Sequence, residues 1–186
     1  MKHNFTMTTF FIIISFLLCF QISDTKEISW HENYKLKWTD FKGKPDENSN
    51  AAAITASGIT FSYYIQKTSS QVVTSFKTKV FAHFYPEESW CKKNLIDDHI
   101  LTHEQFHFNI TELHVRYFRE KIATLSVSNA IEKELTKAHK KANNNLEAMQ
   151  HLYDTETNYS IDREGQQKWN ALVNKELKRL EKYKSN

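Results

Sequence analysis

The pattern of apolar and polar residues changes character near residue 92. Upstream of it, β-branched and aromatic residues alternate with polar ones, which is typical of strands that bury one face. Gly58 indicates a bulge or kink, and Lys67-Thr68-Ser69-Ser70 indicates a hairpin turn. An antiparallel twisted sheet is therefore predicted for this half of the chain, with strands in residues 34–38, 52–66 and 72–84.

Downstream, the apolar residues recur every three or four positions, as in amphipathic helices. Asn94 is the expected N-cap of the first helix, and Ser128 or Asn129 that of the second. Residues 153–162 are expected to form a polar loop. We predict an α+β fold in which the sheet (β-rich residues 28–90) precedes three α-helices (residues 92–184), at about 94–125, 128–152 and 163–183.

The N-terminal segment indicates export. Residues 10–22 form a nearly unbroken apolar run, which is too short for a permanent membrane anchor and is typical of a signal-peptide core. Leu18 stands before Cys19 where a lipidation motif requires a small residue, which disfavours a lipid anchor. We therefore expect a signal peptide at 1–23, a single domain at 24–186, and a secreted or periplasmic protein.

Composition narrows the choice of partners and metal ligands. The net charge of +3 is small and the basic residues are interleaved with acidic ones, so no nucleic acid partner is expected. We expect a monomer that contacts membrane only through its signal segment.

Removal of that segment leaves Cys91 as the one remaining cysteine, which excludes an intramolecular disulfide and a cysteine-ligated zinc site. A metal site would have to use His, Asp, Glu or Tyr.

One motif in the first predicted helix suggests metal chemistry. In His103-Glu104-Gln105-Phe106-His107 the two histidines are four residues apart and share one helix face, within reach of a single cation. Glu104 lies beside them, where it can act as general base toward a zinc-activated water. The alternative is that both are ordinary histidines of a helix.

A catalytic zinc needs a third protein ligand. His99 and His114 lie about 12 Å and 10.5 Å from His107 along a straight helix, which is too far. Glu112 points elsewhere and is expected to form a structural i,i+4 pair with Arg116.

The third ligand must therefore come from a distant segment. An antiparallel second helix would carry its C-terminal end back to the two histidines. That end offers Tyr153, Asp154, Glu156 and Tyr159, of which Asp154 is the first choice and Glu156 the second.

The run from Leu101 to Leu113 resembles the DUF922 family, which is described as predicted secreted zinc-dependent proteases. Trp38–Pro45, Ser89-Trp90 and Tyr153–Thr157 resemble the family in the same order along the chain. The resemblance implies a zinc peptidase with a zincin-like active helix. The family pattern carries a histidine where this chain has Tyr159, so Tyr159 either marks a loss of activity or supports a developing oxyanion.

The leading hypothesis is a secreted zinc-dependent metallopeptidase that hydrolyses a peptide or amide bond in a peptide or protein substrate. Zn²⁺ would be held by His103, His107 and Asp154, with Glu104 as general base and then general acid, and with Tyr159 or Tyr153 assisting at the carbonyl oxygen. The alternative is a non-catalytic secreted or envelope binding module with a structural or vestigial zinc site.

Overall fold

The structure is a computed structural model that describes residues 27–185. The predicted signal peptide, residues 1–23, lies outside the described residues. Within residues 27–185, no helix is both long enough and apolar enough to cross a membrane.

The chain forms two small antiparallel sheets followed by three helices, which confirms the predicted α+β class. The first sheet has the strand order β1-β4-β3, and the second pairs β2 with β5. The strands are β1 (Ile28–Ser29), β2 (Ala53–Ile54), β3 (Ser57–Lys67), β4 (Val73–Phe84) and β5 (Trp90–Cys91). The helices are α1 (Asp98–Ile122), α2 (Ile131–Glu156) and α3 (Arg163–Arg179), with short 3-10 turns at Trp38–Asp40 and Glu181–Tyr183.

Two predictions about the sheet were wrong. Residues 34–38 pair with no strand, because the Leu36 amide donates to the Gln105 side chain of α1 (2.8 Å) rather than to a neighbouring strand. Gly58 pairs regularly with His83, and the register shift lies instead between Gln66 and Lys67, next to the hairpin turn. The turn itself lies where it was predicted.

The helix ends also differ from the prediction. Asp97, not Asn94, caps α1, and its side chain accepts a hydrogen bond from the Ile100 amide (2.7 Å). Helix α2 continues past residue 152 to Glu156, because Tyr153 is fully buried and this burial outweighs the polar character of its neighbours. The segment predicted as a loop therefore begins as the last helical turn of α2.

Helix α1 is the centre of the fold. It contacts β3 and β4 on one side and α2 and α3 on the other. Its residues Ile110, Leu113 and Val115 are completely buried, and Phe118 meets Phe61 of the sheet edge-to-face with ring centroids 4.9 Å apart. Any polar side chain in the middle of α1 is consequently buried and needs partners within the protein.

The predicted Glu112–Arg116 pair is confirmed and lies in this central region. The Arg116 guanidinium donates to Glu112 (2.8 Å), and both side chains are almost fully buried. Ser185 completes the site, because its amide and its hydroxyl donate to the two carboxylate oxygens of Glu112 (3.0 and 2.7 Å). The buried negative charge is thus fully hydrogen-bonded.

We expect Glu112→Ala to lower the free energy of unfolding by about 3–5 kcal/mol, because the variant leaves the Arg116 charge buried without its main partner. Urea unfolding followed by circular dichroism measures the change. The exposed pair Lys168–Glu164 is the matched control, and Glu164→Ala should change stability by less than about 1 kcal/mol. Equal effects of the two substitutions would contradict this interpretation.

The burial of the His114 side chain predicts that the free energy of unfolding depends on pH. Burial lowers the pKa of His114 to about 4, whereas the unfolded chain takes up this proton near pH 6.5. Between these values the unfolded state holds more protons, so the contribution of His114 to stability falls as the pH is lowered, by about 2 kcal/mol from pH 7 to pH 5.

We expect His114→Phe to remove this part of the pH dependence, as measured by urea unfolding at the two pH values. His151→Phe, at an exposed position of α2, is the control and should leave the dependence unchanged. An unaltered slope in His114→Phe would contradict the assignment.

Candidate metal centre

His103 and His107 face the same side of α1 and lie next to each other in the interior. They are 4% and 9% exposed. Their Nε2 atoms are 3.1 Å apart, which follows from the i,i+4 spacing on a helix. Helix geometry thus brings the two imidazoles together without help from the rest of the chain.

Asp154 completes a cluster of three. Its Oδ1 lies 3.1 Å from His103 Nε2 and 2.9 Å from His107 Nε2. Helix α2 places it there, since its C-terminal end packs beside the N-terminal half of α1. The sequence prediction named this same carboxylate, although it placed Asp154 in a loop rather than on a helix.

The spacing of the three donor atoms is close to that of a zinc site. Zinc bonds His nitrogen and carboxylate oxygen at about 2.0–2.2 Å, so two donors of a tetrahedral site are about 3.3–3.6 Å apart. The three separations here are 3.1, 3.1 and 2.9 Å, somewhat shorter than this range. Two imidazoles and one carboxylate are also a donor set suited to zinc. The residues therefore fit this ion.

The cluster is strongly coupled electrostatically. Burial alone would raise the pKa of Asp154, but its hydrogen bonds to His103 and His107 outweigh burial and hold that pKa far below its ordinary value. Burial alone would lower the pKa of His107, yet the nearby carboxylates of Asp154 and Glu104 raise it on balance. An ionised carboxylate thus faces two imidazoles in a largely buried site.

Gln150 orients His107 and was missed from the sequence. Its side-chain oxygen lies against Nδ1 of His107, and its Nε2 donates to the His107 carbonyl (2.9 Å) and to Thr111 (3.3 Å). An acceptor at Nδ1 fixes the tautomer that leaves Nε2 free to bind a metal. The i,i+4 spacing of Gln150 and Asp154 would have revealed this residue had α2 been predicted to extend to Glu156.

Tyr153 supports the other histidine. Its ring stacks on His103, with centroids 4.6 Å apart and an interplanar angle of 16°. Its hydroxyl is buried and has no hydrogen-bond partner among the described residues, and burial raises the pKa of Tyr153 well above its ordinary value. This tyrosine therefore stays protonated and packs against the metal-binding face.

Glu104 is the polar group best placed for chemistry beside the cluster. It is 4% exposed, and its Oε2 atom has no hydrogen-bond partner within residues 27–185. Its backbone carbonyl accepts a hydrogen bond from the Thr55 hydroxyl (3.2 Å), which ties the chain next to β2 to this turn of α1. A buried carboxylate oxygen without a partner lowers the stability of the fold, and such groups are found mainly at functional sites.

The remaining candidates lie outside the cluster. Glu156 accepts a hydrogen bond from the Trp169 indole (2.8 Å), a structural contact between α2 and α3.

His99 donates to the Ser160 carbonyl (2.6 Å), and His114 lies against Met149. Neither histidine joins the cluster, as the helix geometry predicted. Tyr159 is 65% exposed and lines the cleft onto which the cluster opens.

The cluster opens onto a cleft of about 1030 Å³. One wall is the chain from Ser49 to Ser57, which includes β2, and the other is the end of α2 with the turn that follows it. Among the residues that the structure describes, its lining contains three carboxylates (Glu88, Glu104 and Asp154) and neither lysine nor arginine. The cleft is thus electrostatically suited to a cation.

Comparisons with known proteins place the chain in a family. Neither the curated proteins nor the solved structures give a match. The family model described as "Bacterial protein of unknown function (DUF922)" matches residues 35–162, a range that contains β2 to β5, α1, α2 and the complete cluster. The chain therefore belongs to the DUF922 family.

Proposed function

We propose that this protein is a zinc-dependent hydrolase that cleaves peptide or amide bonds, with the ion held by His103, His107 and Asp154. The observation that carries the proposal is the triangle of three donor atoms at the bottom of an open cleft, with Glu104 buried beside it. The apolar run at residues 10–22 supports a secreted or periplasmic location for the enzyme.

A zinc ion at this site would polarise the substrate carbonyl and lower the pKa of an attacking water toward neutrality. Glu104 takes the proton from the attacking water on its free Oε2 and delivers it to the leaving amine. His103 and His107 keep their Nε2 atoms directed at one point, and Gln150 and Tyr153 hold the two rings in place. The chain's own groups thus supply proton transfer and positioning.

The open cleft favours an enzyme over a binding module with structural zinc. Structural zinc sites are closed by four protein ligands, whereas catalytic sites have three and leave one position for water or substrate. Here three donors converge, and the cluster residues line the cleft. A structural ion would also leave the buried Glu104 oxygen without a role.

The cleft wall next to β2 supports a peptide as substrate. Lys92 donates to the Ala52 carbonyl (2.8 Å), so residues 52 and 54 form the hydrogen-bonded pairs with β5. The backbone groups of Ala53 and Thr55 consequently point away from β5. Thr55 is partly exposed in the cleft lining, whereas Ala53 is buried. A partly exposed strand end in a cleft can bind an extended peptide through its backbone groups.

Of the two tyrosines expected to assist at the carbonyl oxygen, Tyr159 lines the cleft and Tyr153 does not. We therefore assign any such assistance to Tyr159. Its hydroxyl would donate to the oxygen on which negative charge develops.

We expect Glu104→Gln to keep zinc and lose hydrolysis by at least about 100-fold, because the amide cannot accept the proton of the water. Zinc content is measured by elemental analysis, and hydrolysis with quenched fluorescent peptide mixtures. Asp154→Ala is the contrasting variant and should lose both zinc and activity, whereas Glu156→Gln should keep zinc.

A purified protein that takes up no zinc would refute the proposal. Stoichiometric zinc without hydrolysis of any peptide or amide would favour the binding-module alternative. Full hydrolysis by Glu104→Gln would exclude Glu104 as the general base.

We expect Gln150→Ala to weaken zinc binding by about 10–100-fold, because the His107 ring loses the acceptor that fixes its tautomer. Competition with a chromophoric chelator measures the affinity. Gln150→Glu retains an acceptor at Nδ1 and should bind zinc more tightly than Gln150→Ala. Asn145→Ala, at an exposed position of the same helix, is the control. An unchanged affinity in Gln150→Ala would show that His107 needs no such support.

A further inference from the structure

The turn that follows α2 has an unusual backbone. Asn158, Tyr159 and Ser160 have φ angles of 47°, 53° and 75°, three consecutive left-handed residues without a glycine. Left-handed backbone is disfavoured for residues that carry a β-carbon, less so for Asn than for Tyr and Ser. Strain of this kind persists where the surroundings impose it and concentrates at functional sites.

Hydrogen bonds hold this turn in its conformation. The Tyr159 amide donates to the carbonyl of Asp154 (2.8 Å), and the Asp162 amide donates to the carbonyl of Thr157 (2.8 Å). From α1, the His99 side chain donates to the Ser160 carbonyl (2.6 Å). The turn is therefore fixed both to the residue that carries the cluster carboxylate and to the helix that carries the histidines.

The fixed turn presents apolar side chains to the cleft. Tyr159 is 65% exposed and Ile161 is 74% exposed, and both line the cleft that contains the cluster. Ile54, on the opposite wall, is 43% exposed. Isolated exposed apolar residues are ordinary. Three of them at one cleft, next to a candidate reaction centre, form an apolar surface, and a ligand that covers this surface lowers the free energy of the complex.

We propose that the cleft selects peptides with a bulky apolar residue close to the bond that lies at the metal cluster, and that Tyr159 and Ile161 select it. That this bond is hydrolysed rests on the proposed function, whereas the selectivity concerns peptide binding alone. A peptide that lies extended in the cleft, between Ile54 on one wall and the turn on the other, presents every second side chain to the same side, so one of them meets the turn. An acidic residue there would lose the hydration of its charge without covering the apolar side chains.

The test measures binding without turnover. Zinc-loaded Glu104→Gln protein is titrated with fluorescein-labelled peptides that are identical except for Phe, Ser or Asp at one position, and the position is moved along the peptide. At one position the Phe peptide should bind about tenfold more tightly than the Ser peptide, and the Asp peptide most weakly. Fluorescence anisotropy reports the affinities.

Substitutions in the turn then identify the selecting residues. Tyr159→Ser and Ile161→Ser should each reduce the preference for Phe, and the double variant should abolish it. Tyr159→Phe should retain the preference, since it keeps the ring and removes only the hydroxyl. Leu172→Ser, at an exposed apolar position of α3 outside the cleft lining, is the matched control and should also retain it. Circular dichroism of each variant verifies folding.

Equal binding of the Phe and Ser peptides at every position would overturn the proposal, as would a preference that survives in the double variant. Loss of the preference in Tyr159→Phe would also overturn it, because the hydroxyl rather than the apolar ring would then select. The selectivity stands if the wild-type protein binds these peptides with the expected preference and fails to cleave them. In that case only the proposed hydrolysis fails.

Discussion

The antiparallel packing of α2 against α1 is the constraint on which the site depends. Two donors come from one turn of α1, but the third reaches them only because α2 ends beside that turn. Tyr153 couples the packing to the site directly, since its fully buried ring contacts both histidines and also Trp169 of α3. A shift of α2 by half an ångström would separate the donors, so the apolar packing of three helices sets the geometry of the polar cluster.

The parts of the site that could be predicted are those fixed by local helix geometry. His103, Glu104 and His107 belong to one helical turn, and their relative positions follow from the repeat of the helix alone. The prediction of Asp154 needed one further inference, that α2 runs antiparallel to α1. Gln150 and the true end of α2 were missed, because the burial of Tyr153 against two other helices decides them. The prediction of a strand at residues 34–38 was wrong for a similar reason, since the Leu36 amide donates to the Gln105 side chain of a distant helix.

Polar groups are satisfied unevenly across the interior. Glu112 and Arg116 have several partners each, although they are among the most buried residues. Among residues 27–185, six buried side-chain atoms lack a partner, and three of them belong to His103, Glu104 and Tyr153. A sequence selected for stability alone would not concentrate unsatisfied groups around one point. This concentration, like the convergence of three donor atoms, supports the proposed metal site over a pair of ordinary core histidines.

The hydrogen bonds between Ser185 and Glu112 also bear on the order of folding. Glu112 lies in the middle of α1, yet two of its partners are supplied 73 residues later in the chain. Lys184 reaches back still further, to Glu32. Long-range contacts of this kind form late, because the intervening chain must be ordered first. The central helix therefore carries an incompletely satisfied charge until residue 185 has docked. Such a chain stays incompletely folded until the segment around residue 185 has been synthesised.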